Sequence, residues 1–300
     1  MSEQTVLVTG ATGFLGSHLV KSLLKQNYQV IVLKRSFSNT WRIKNVLPQL
    51  IAFDIDVCEI SDPFKQVSTI DAIIHTATCY GRNNETTSNI FTTNTVFPLN
   101  LLEITSFFNV KAFINTDTSI NKHSIPYQGL SPYSLSKYQF TQWGKYFASM
   151  SEMKFINVSV EYMFGPYDNR SNLVNYVIEG CLNNVKNIKL TGGDQQRDFI
   201  YINDVVSAYL VLLNNIEQIP QNYSEYELGC GRLISLKKFI KIIHRLTDSQ
   251  SQLNFGVLPY RKGEIMHSQA DIQALNQLGW FPQWKLKDAL TETIRTFRNN

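Results

Sequence analysis

Tyr133-Ser134-Leu135-Ser136-Lys137 sets a phenol and an ammonium at i and i+4. A helix brings both to one face. A cation beside a phenol lowers its pKa toward neutrality, so the tyrosine can give a proton to, or take one from, a carbonyl or alcohol oxygen. The lysine could also hydrogen-bond a ribose. An exposed helix face carries the same pattern, and a chain with 14 tyrosines holds about one such pair by chance. Just upstream, Phe113-Ile114-Asn115 runs into Thr116-Asp117-Thr118. A hydroxyl and a carboxylate at the end of an apolar run suit a binding site at a strand's carboxyl end, although both types are also good turn formers.

These groups need a partner that moves electrons, and the start of the chain offers one. Thr5-Val6-Leu7-Val8-Thr9 is an apolar β-forming run, and Gly10-x-x-Gly13-x-x-Gly16 follows at once. Such a strand, glycine turn and helix start form a site for a dinucleotide pyrophosphate. Gly10 permits the tight turn, Gly13 leaves room for phosphate and Gly16 lets helix and strand approach. Thr12, Phe14 and Leu15 lie within the same loop. His18 to Leu24 has helical spacing, so free N–H groups and a helix dipole point at the phosphate. A glycine turn that binds nothing is the alternative.

The end of the second strand decides which nucleotide is held. A carboxylate there binds a free ribose 2′-hydroxyl, and basic residues accept a 2′-phosphate. The strand ends Lys34-Arg35-Ser36, and no Asp or Glu lies between Val30 and Trp41. NADP(H) is therefore the expected cofactor, held by charge-assisted hydrogen bonds. Asp54 and Ile55, ending the third strand, are expected at the adenine. Two basic residues that simply face solvent are the alternative.

The surrounding rhythm is that of a doubly wound α/β fold with a parallel sheet. Further strands are expected at 28–33, 50–53, 72–75, 112–115 and 155–160, with helices at 91–107 and 131–150. Ser131 caps the second of these helices and Pro132 occupies its first turn. From Gly165-Pro166 onward the rhythm loosens. This suggests a dinucleotide-binding domain over 1–165, with a return of the chain near 197–228, and a smaller substrate domain over 166–300. A ligand is expected where the two meet, at the carboxyl ends of the strands. The net charge of +4 comes without a basic block, so no nucleic-acid partner is expected. The four cysteines form no C-x-x-C pair, and neither a metal site nor a disulfide is expected. No apolar run approaches the roughly 18 residues of a membrane helix, and no leader precedes the first strand, so a soluble cytoplasmic protein is expected.

Taken together these motifs resemble the extended short-chain dehydrogenase/reductases, the epimerase/dehydratase/reductase group acting on nucleotide sugars. Thr9 to Gly16 looks like the group's cofactor loop, and Asp71-Ala72-Ile73-Ile74-His75-Thr76-Ala77 resembles its D-x-V-I-H-x-A strand. Phe164-Gly165-Pro166, Arg197-Asp198-Phe199-Ile200-Tyr201-Ile202-Asn203-Asp204 and Leu278-Gly279-Trp280-x-Pro282 match its later motifs in order. The resemblance implies catalysis by Tyr133, Lys137 and Thr116, with Asp117 near a sugar hydroxyl. It implies cofactor contacts from Thr76, Ala77, Thr78 and Asn94. It also implies a nucleoside-diphosphate sugar substrate near Thr78, Tyr80, Thr118, Tyr162 and Asn172, with Arg197 and Arg261 on the diphosphate. An ion pair with Glu264 is the other role open to Arg261. A homodimer built from the helices near 91–107 and 131–150 is implied too, through Phe97, Leu101, Phe140, Trp143 and Phe147.

Departures from the group's pattern narrow the reaction. Sugar 4,6-dehydratases carry Asp-Glu after the catalytic threonine, whereas this chain has Asp117-Thr118, so the acid/base for elimination is missing. Lys34-Arg35 argues for an exchangeable, consumed NADPH. The segment from Thr116 to Tyr133 is short and lacks the usual Tyr-Gly, and Tyr162 replaces a common Asn. The stretches 74–81, 115–118 and 195–200 resemble 4-ketoreductases of CDP-3,6-dideoxyhexoses. An NAD-dependent 4-epimerase and a reductase of dTDP- or GDP-4-keto sugars are the alternatives.

Overall fold

The computed structural model describes residues 4–122, 131–261 and 263–298. They form two compact units. Residues up to Val160 join Ala208–Tyr226, and Glu161–Ser207 joins the residues from Glu227 onward. The chain thus returns to the first unit at Ala208. It does not return near 197, because Gln196–Tyr201 is a strand of the second unit's sheet.

In chain order the elements up to Val160 are β1 (Thr5–Thr9), α1 (Phe14–Lys25), β2 (Gln29–Lys34), β3 (Ile51–Asp54), α2 (Asp62–Gln66), β4 (Ala72–His75), α3 (Thr87–Phe91), α4 (Phe97–Thr105), β5 (Ala112–Thr118), α5 (Pro132–Met150) and β6 (Lys154–Val160). There follow β7 (Tyr162–Phe164), α6 (Leu173–Leu182), β8 (Asn187–Lys189), β9 (Gln196–Tyr201), α7 (Ile202–Asn214), β10 (Tyr223–Leu228), β11 (Leu233–Ser235), α8 (Leu236–Leu246), β12 (Gln252–Asn254), β13 (His267–Ser268), α9 (Gln273–Gln277) and α10 (Leu286–Arg298).

A seven-stranded sheet runs in the order β3-β2-β1-β4-β5-β6-β10, and the pairings from β3 across to β6 are parallel. Val6, Leu7, Val8, Ile73, Phe113 and Phe155 are fully buried, as strands covered on both faces require. Each such side chain contributes roughly 1.5–3 kcal/mol through its burial. The register aligns the strand ends, since Thr9 lies opposite Leu33 and His75, and His75 lies opposite Asn115. The polar residues that follow those positions therefore leave the sheet along one edge, its carboxyl edge.

Two elements differ from the sequence expectation in ways that matter to the site. β5 continues to Thr118, because β6 pairs with it as far as Thr118 opposite Val160. Thr116, Asp117 and Thr118 are therefore buried strand residues and form no turn. The helix expected at 91–107 begins at Thr87 and carries a π turn over Thr92–Val96 before α4. The aromatics expected at a dimer contact mostly face inward. Leu101 and Phe140 are buried, Phe97 and Phe147 pack on the same core, and Trp143 alone of these is exposed. The reason is that Phe140 sits among Phe113, Phe155 and His75. Among the described residues no helix is long and apolar enough to cross a membrane.

Candidate active site

The glycine loop is shaped by contacts that exclude side chains. Gly10 has a φ of +69°, and a Cβ there would lie 2.6 Å from the Ala77 nitrogen. A Cβ on Gly16 would lie 2.2 Å from the Gly10 carbonyl oxygen, so its role is to let α1 rest on the turn itself. Gly13 is the N-cap of α1 and offers no side-chain cap, and the first turn holds no acid. The orphan N–H groups of that turn and its positive dipole end are left for an anion. Thr9 ties the loop to β4: its Oγ1 accepts from the Thr76 and Ala77 N–H groups and meets His75 Nδ1 at 2.7 Å, while Thr76 Oγ1 donates to its carbonyl. His75 is held well below its ordinary pKa by burial and by the Lys137 charge, so it is neutral. Thr76 and Ala77 thus form one wall of the loop.

Asn94 lies in the π turn and is buried. Its amide accepts from Cys79 N–H and donates to Cys79 O and Ser136 Oγ at 2.7, 2.8 and 3.1 Å. Expected at the cofactor, it is spent on fixing the segment that carries Thr78 and Tyr80 against α5. A π turn at such a place supplies the displacement that aims one side chain inward.

The β5–α5 pair holds the expected catalytic groups. Ser131 caps α5 by accepting from Ser134 N–H, which starts the helix one residue before Tyr133. Lys137 is buried, and its Nζ donates to the Thr116 carbonyl at 2.5 Å. Burial lowers it to about 8, with Asp117 acting in the opposite direction. Asp117 also accepts from Thr118 N–H and Asn121 Nδ2 on one oxygen, and from Thr141 Oγ1 and Asn157 Nδ2 on the other. Expected at a sugar hydroxyl, Asp117 instead holds the interior of the site together.

The phenol of Tyr133 differs from expectation in its cation. Burial and then Tyr80 push it well above its ordinary range, whereas a Thr118 hydrogen bond and the Arg82 charge pull it down. The Lys137 ammonium is directed to the Thr116 carbonyl. Arg82 lies 4.6 Å over the Tyr80 ring, which lies 5.0 Å from the Tyr133 ring. Arg82 belongs to no motif, and only this stack brings it to notice. The hydroxyl meeting Tyr133 is that of Thr118, two residues along β5 from Thr116 and on the same side of the strand.

At the other end of the edge, acids that are distant in sequence reach the residues that end β2. Lys34 forms an ion pair with Asp54 directly across the β2–β3 register. Ser36 donates through N–H and Oγ to Asp56 at 2.7 and 2.6 Å. Ile55 donates its N–H to the Lys34 carbonyl. Arg35 is exposed and lies 4.8 Å over Phe37. Arg42, also missed in the sequence, reaches the Thr12 carbonyl at 3.3 Å.

In the second unit, Arg197 is nearly fully buried and its guanidinium donates to Glu264 at 2.7 Å beneath the Tyr162 ring. The ion pair contemplated for Arg261 belongs to Arg197, and Arg261 is exposed. Asn172 donates to both Asp168 oxygens. Asp198 accepts from the N–H groups of Cys230, Gly231 and Ala270, and Asp204 from those of Gln283 and Trp284. Those two acids of the long 197–204 motif are scaffold. Residues 123–130, part of the shortened segment before Tyr133, lie outside the described residues.

A family model described as the NAD dependent epimerase/dehydratase family matches residues 6–229. The chain belongs to that family. It is 34% identical to a CDP-abequose synthase of Salmonella typhimurium over 98% of both chains. It is 36% identical to a CDP-abequose synthase of Salmonella muenchen over 97% of both. A solved UDP-glucuronic acid 4-epimerase from Bacillus cereus, in complex with UDP-glucuronic acid and NAD, is similar at a TM-score of 0.84 and 23% identity, with 99% of each chain covered. These relatives make the chain a nucleotide-sugar-modifying enzyme of an α/β, Rossmann-type fold. The dinucleotide that the family's description implies fits the residues present. A Cβ at Gly10 or Gly16 would collide with Ala77 or with the turn itself, so the glycines keep the loop tight, and the uncapped start of α1 suits a pyrophosphate.

Proposed function

We propose that this enzyme reduces the C4 ketone of a nucleoside-diphosphate 4-keto-deoxyhexose with NADPH. CDP-4-keto-3,6-dideoxyglucose, going to CDP-abequose for a surface O-antigen polysaccharide, is the first substrate to test. The observation that carries the reading is the β5–α5 pair, in which Tyr133 stands in the first turn of α5 and the Lys137 ammonium, one turn on, donates to the Thr116 carbonyl. The full-length similarity to two CDP-abequose synthases supports the choice of sugar.

NADPH, when bound, supplies the hydride to C4. Tyr133 gives its proton to the oxygen that becomes the alcohol. Thr116 and Thr118 offer hydroxyls along one side of β5, where negative charge develops in the transition state. Lys137 fixes the Thr116 backbone and keeps a positive charge beneath the site. Tyr80 and Arg82 set the ring of Tyr133. Thr78 and Tyr162 contact the sugar, and Arg197 and Arg261 bind the diphosphate. Gly10, Gly13 and Gly16 hold the cofactor pyrophosphate, Arg35 with Lys34 and Ser36 holds its 2′-phosphate, and Asp54 and Ile55 lie at the adenine. The working unit is a cytoplasmic homodimer through the outward aromatics of α5, Trp143 and Tyr146; size-exclusion chromatography of the wild type against a Trp143→Glu variant tests that arrangement.

A second reading is a specific alternative: an NAD-dependent 4-epimerase. The ion pair of Lys34 with Asp54 favours it, because a carboxylate then stands near the ribose after all. Incubation with nucleoside-diphosphate 4-keto sugars of CDP, dTDP and GDP, plus NADPH or NADH, separates the two. Reduction consumes one NADPH per alcohol formed, as read by absorbance and product NMR. An enzyme that consumes no reduced nucleotide with any 4-keto sugar, and interconverts C4 epimers of the 4-hydroxy sugars, is the epimerase.

A further inference from the structure

We propose that Tyr209 is a positioning residue that makes Thr116 a one-directional hydrogen-bond donor to the reacting oxygen. Tyr209 lies on α7, 93 residues beyond Thr116, and is completely buried. Its Oη is 2.6 Å from Thr116 Oγ1. Either oxygen could supply that proton by distance alone, but the surroundings decide. Among the described residues Thr116 is the only hydrogen-bond partner of the Tyr209 hydroxyl. One of the two protons lacks a protein acceptor in either case; Tyr209 is completely sealed in whereas Thr116 keeps 8% exposure, so the unmatched proton costs less on Thr116, where a ligand can reach it. Tyr209 therefore donates and Thr116 accepts.

That direction has a consequence at the site. The Thr116 hydroxyl has a single proton, and no acceptor for it exists among the described residues. The proton is left for a ligand. Its backbone is fixed from the opposite side by Lys137 at the carbonyl. Thr116 is thus clamped by two segments, α5 at its backbone and α7 at its side chain, with one free O–H. A hydroxyl that already accepts a hydrogen bond is a stronger donor, so a Tyr209-to-Thr116-to-oxygen chain strengthens as the carbonyl oxygen gains charge. The burial that raises the Tyr209 phenol above its ordinary range keeps it a donor across the working pH range. No proton is transferred along this chain; Tyr133 supplies the one that the product keeps.

The inference rests on the reductase reading, and the test separates the two. The purified full-length protein and its Tyr209→Phe, Thr116→Val, double, Thr116→Ser and Tyr133→Phe variants are assayed for NADPH oxidation with CDP-4-keto-3,6-dideoxyglucose and melted without ligand. Tyr209→Phe is expected to lower kcat about fivefold with KM unchanged, the size of one neutral hydrogen bond. In the Thr116→Val background the same change is expected to cost nothing further, and Thr116→Ser is expected to retain most of the activity. The melting readout is independent of catalysis. Thr116→Val leaves the Tyr209 hydroxyl unpartnered and is expected to melt below the double variant. A Tyr209→Phe enzyme of unchanged kcat, or additive losses in the double variant, or equal melting of Thr116→Val and the double, overturns the inference. Full activity in Tyr133→Phe overturns the reductase reading instead.

Discussion

The two ends of the sheet's carboxyl edge use the same residue types in opposite ways. At β5 and α5, Lys137 and Asp117 are buried, and their charged groups meet particular donors or acceptors. At β2 and β3, Lys34 with Asp54 and Ser36 with Asp56 form equivalent pairs at the surface. Water screens the second set, so its interactions are individually weak and replaceable. The first set sits in low dielectric, where a charge out of place is expensive and a charge in place is strong. On the proposed reading, the chemistry belongs to the buried end and the choice of nucleotide to the more exposed one.

The largest effect should come from the interior. Tyr133→Phe is expected to lower kcat by about 10²–10⁴-fold, the range of a general acid, with NADPH affinity by titration unchanged. Lys137→Met comes next, at about 10²-fold on kcat, from the same interior end. Its stability should move the other way. The folded-state value of about 8 lies below the ordinary 10.5, so the folded protein binds fewer protons than the unfolded chain between those values. The buried ammonium then costs stability at pH 7, and that cost fades as pH rises from about 8 toward 10.5. Lys137→Met is expected to melt no lower than wild type at pH 7 by calorimetry. The same group makes wild-type kcat fall as pH climbs through about 8, and this limb should vanish in the variant.

Smaller effects should come from the rim. Arg35→Ala is expected to raise KM for NADPH about tenfold and to leave KM for NADH almost unchanged, the worth of one partly exposed charge-assisted bond. Equal losses for both nucleotides would erase the distinction drawn between the two ends. The smallest change is Asp54→Asn. It releases Lys34 and removes a negative charge, so KM for NADPH should fall by about two- to threefold, the scale of a surface ion pair. A rise in that KM would mean that the contact of Asp54 at the adenine outweighs the release of Lys34.

Much of the molecule was legible because its signals are local. The glycine spacing, the run from Asp71 to Ala77 and the cap at Ser131 each act within a few residues, and each appears in the structure as an element start or end. What escaped was non-local. The extent of β5 depends on its pairing with β6, and Asn94 serves Cys79 through a π turn that no periodicity announces. Arg82 and Tyr209 belong to no chemical motif, yet both bear on the catalytic groups. No acid lies within Val30–Trp41, yet parallel pairing brings Asp54 alongside the end of β2 from the next strand.

By itself the sequence determined the fold class and the place of the glycine turn between β1 and α1. These follow from residue type and short spacing, which survive any packing. Only the tertiary structure decided which cation faces which phenol, whether an acid is a ligand or a brace, and in which direction Thr116 is left to donate. Those are outcomes of competition for a limited number of buried donors and acceptors. Such a competition is settled by all the neighbours at once, and the neighbours come from segments up to 93 residues apart.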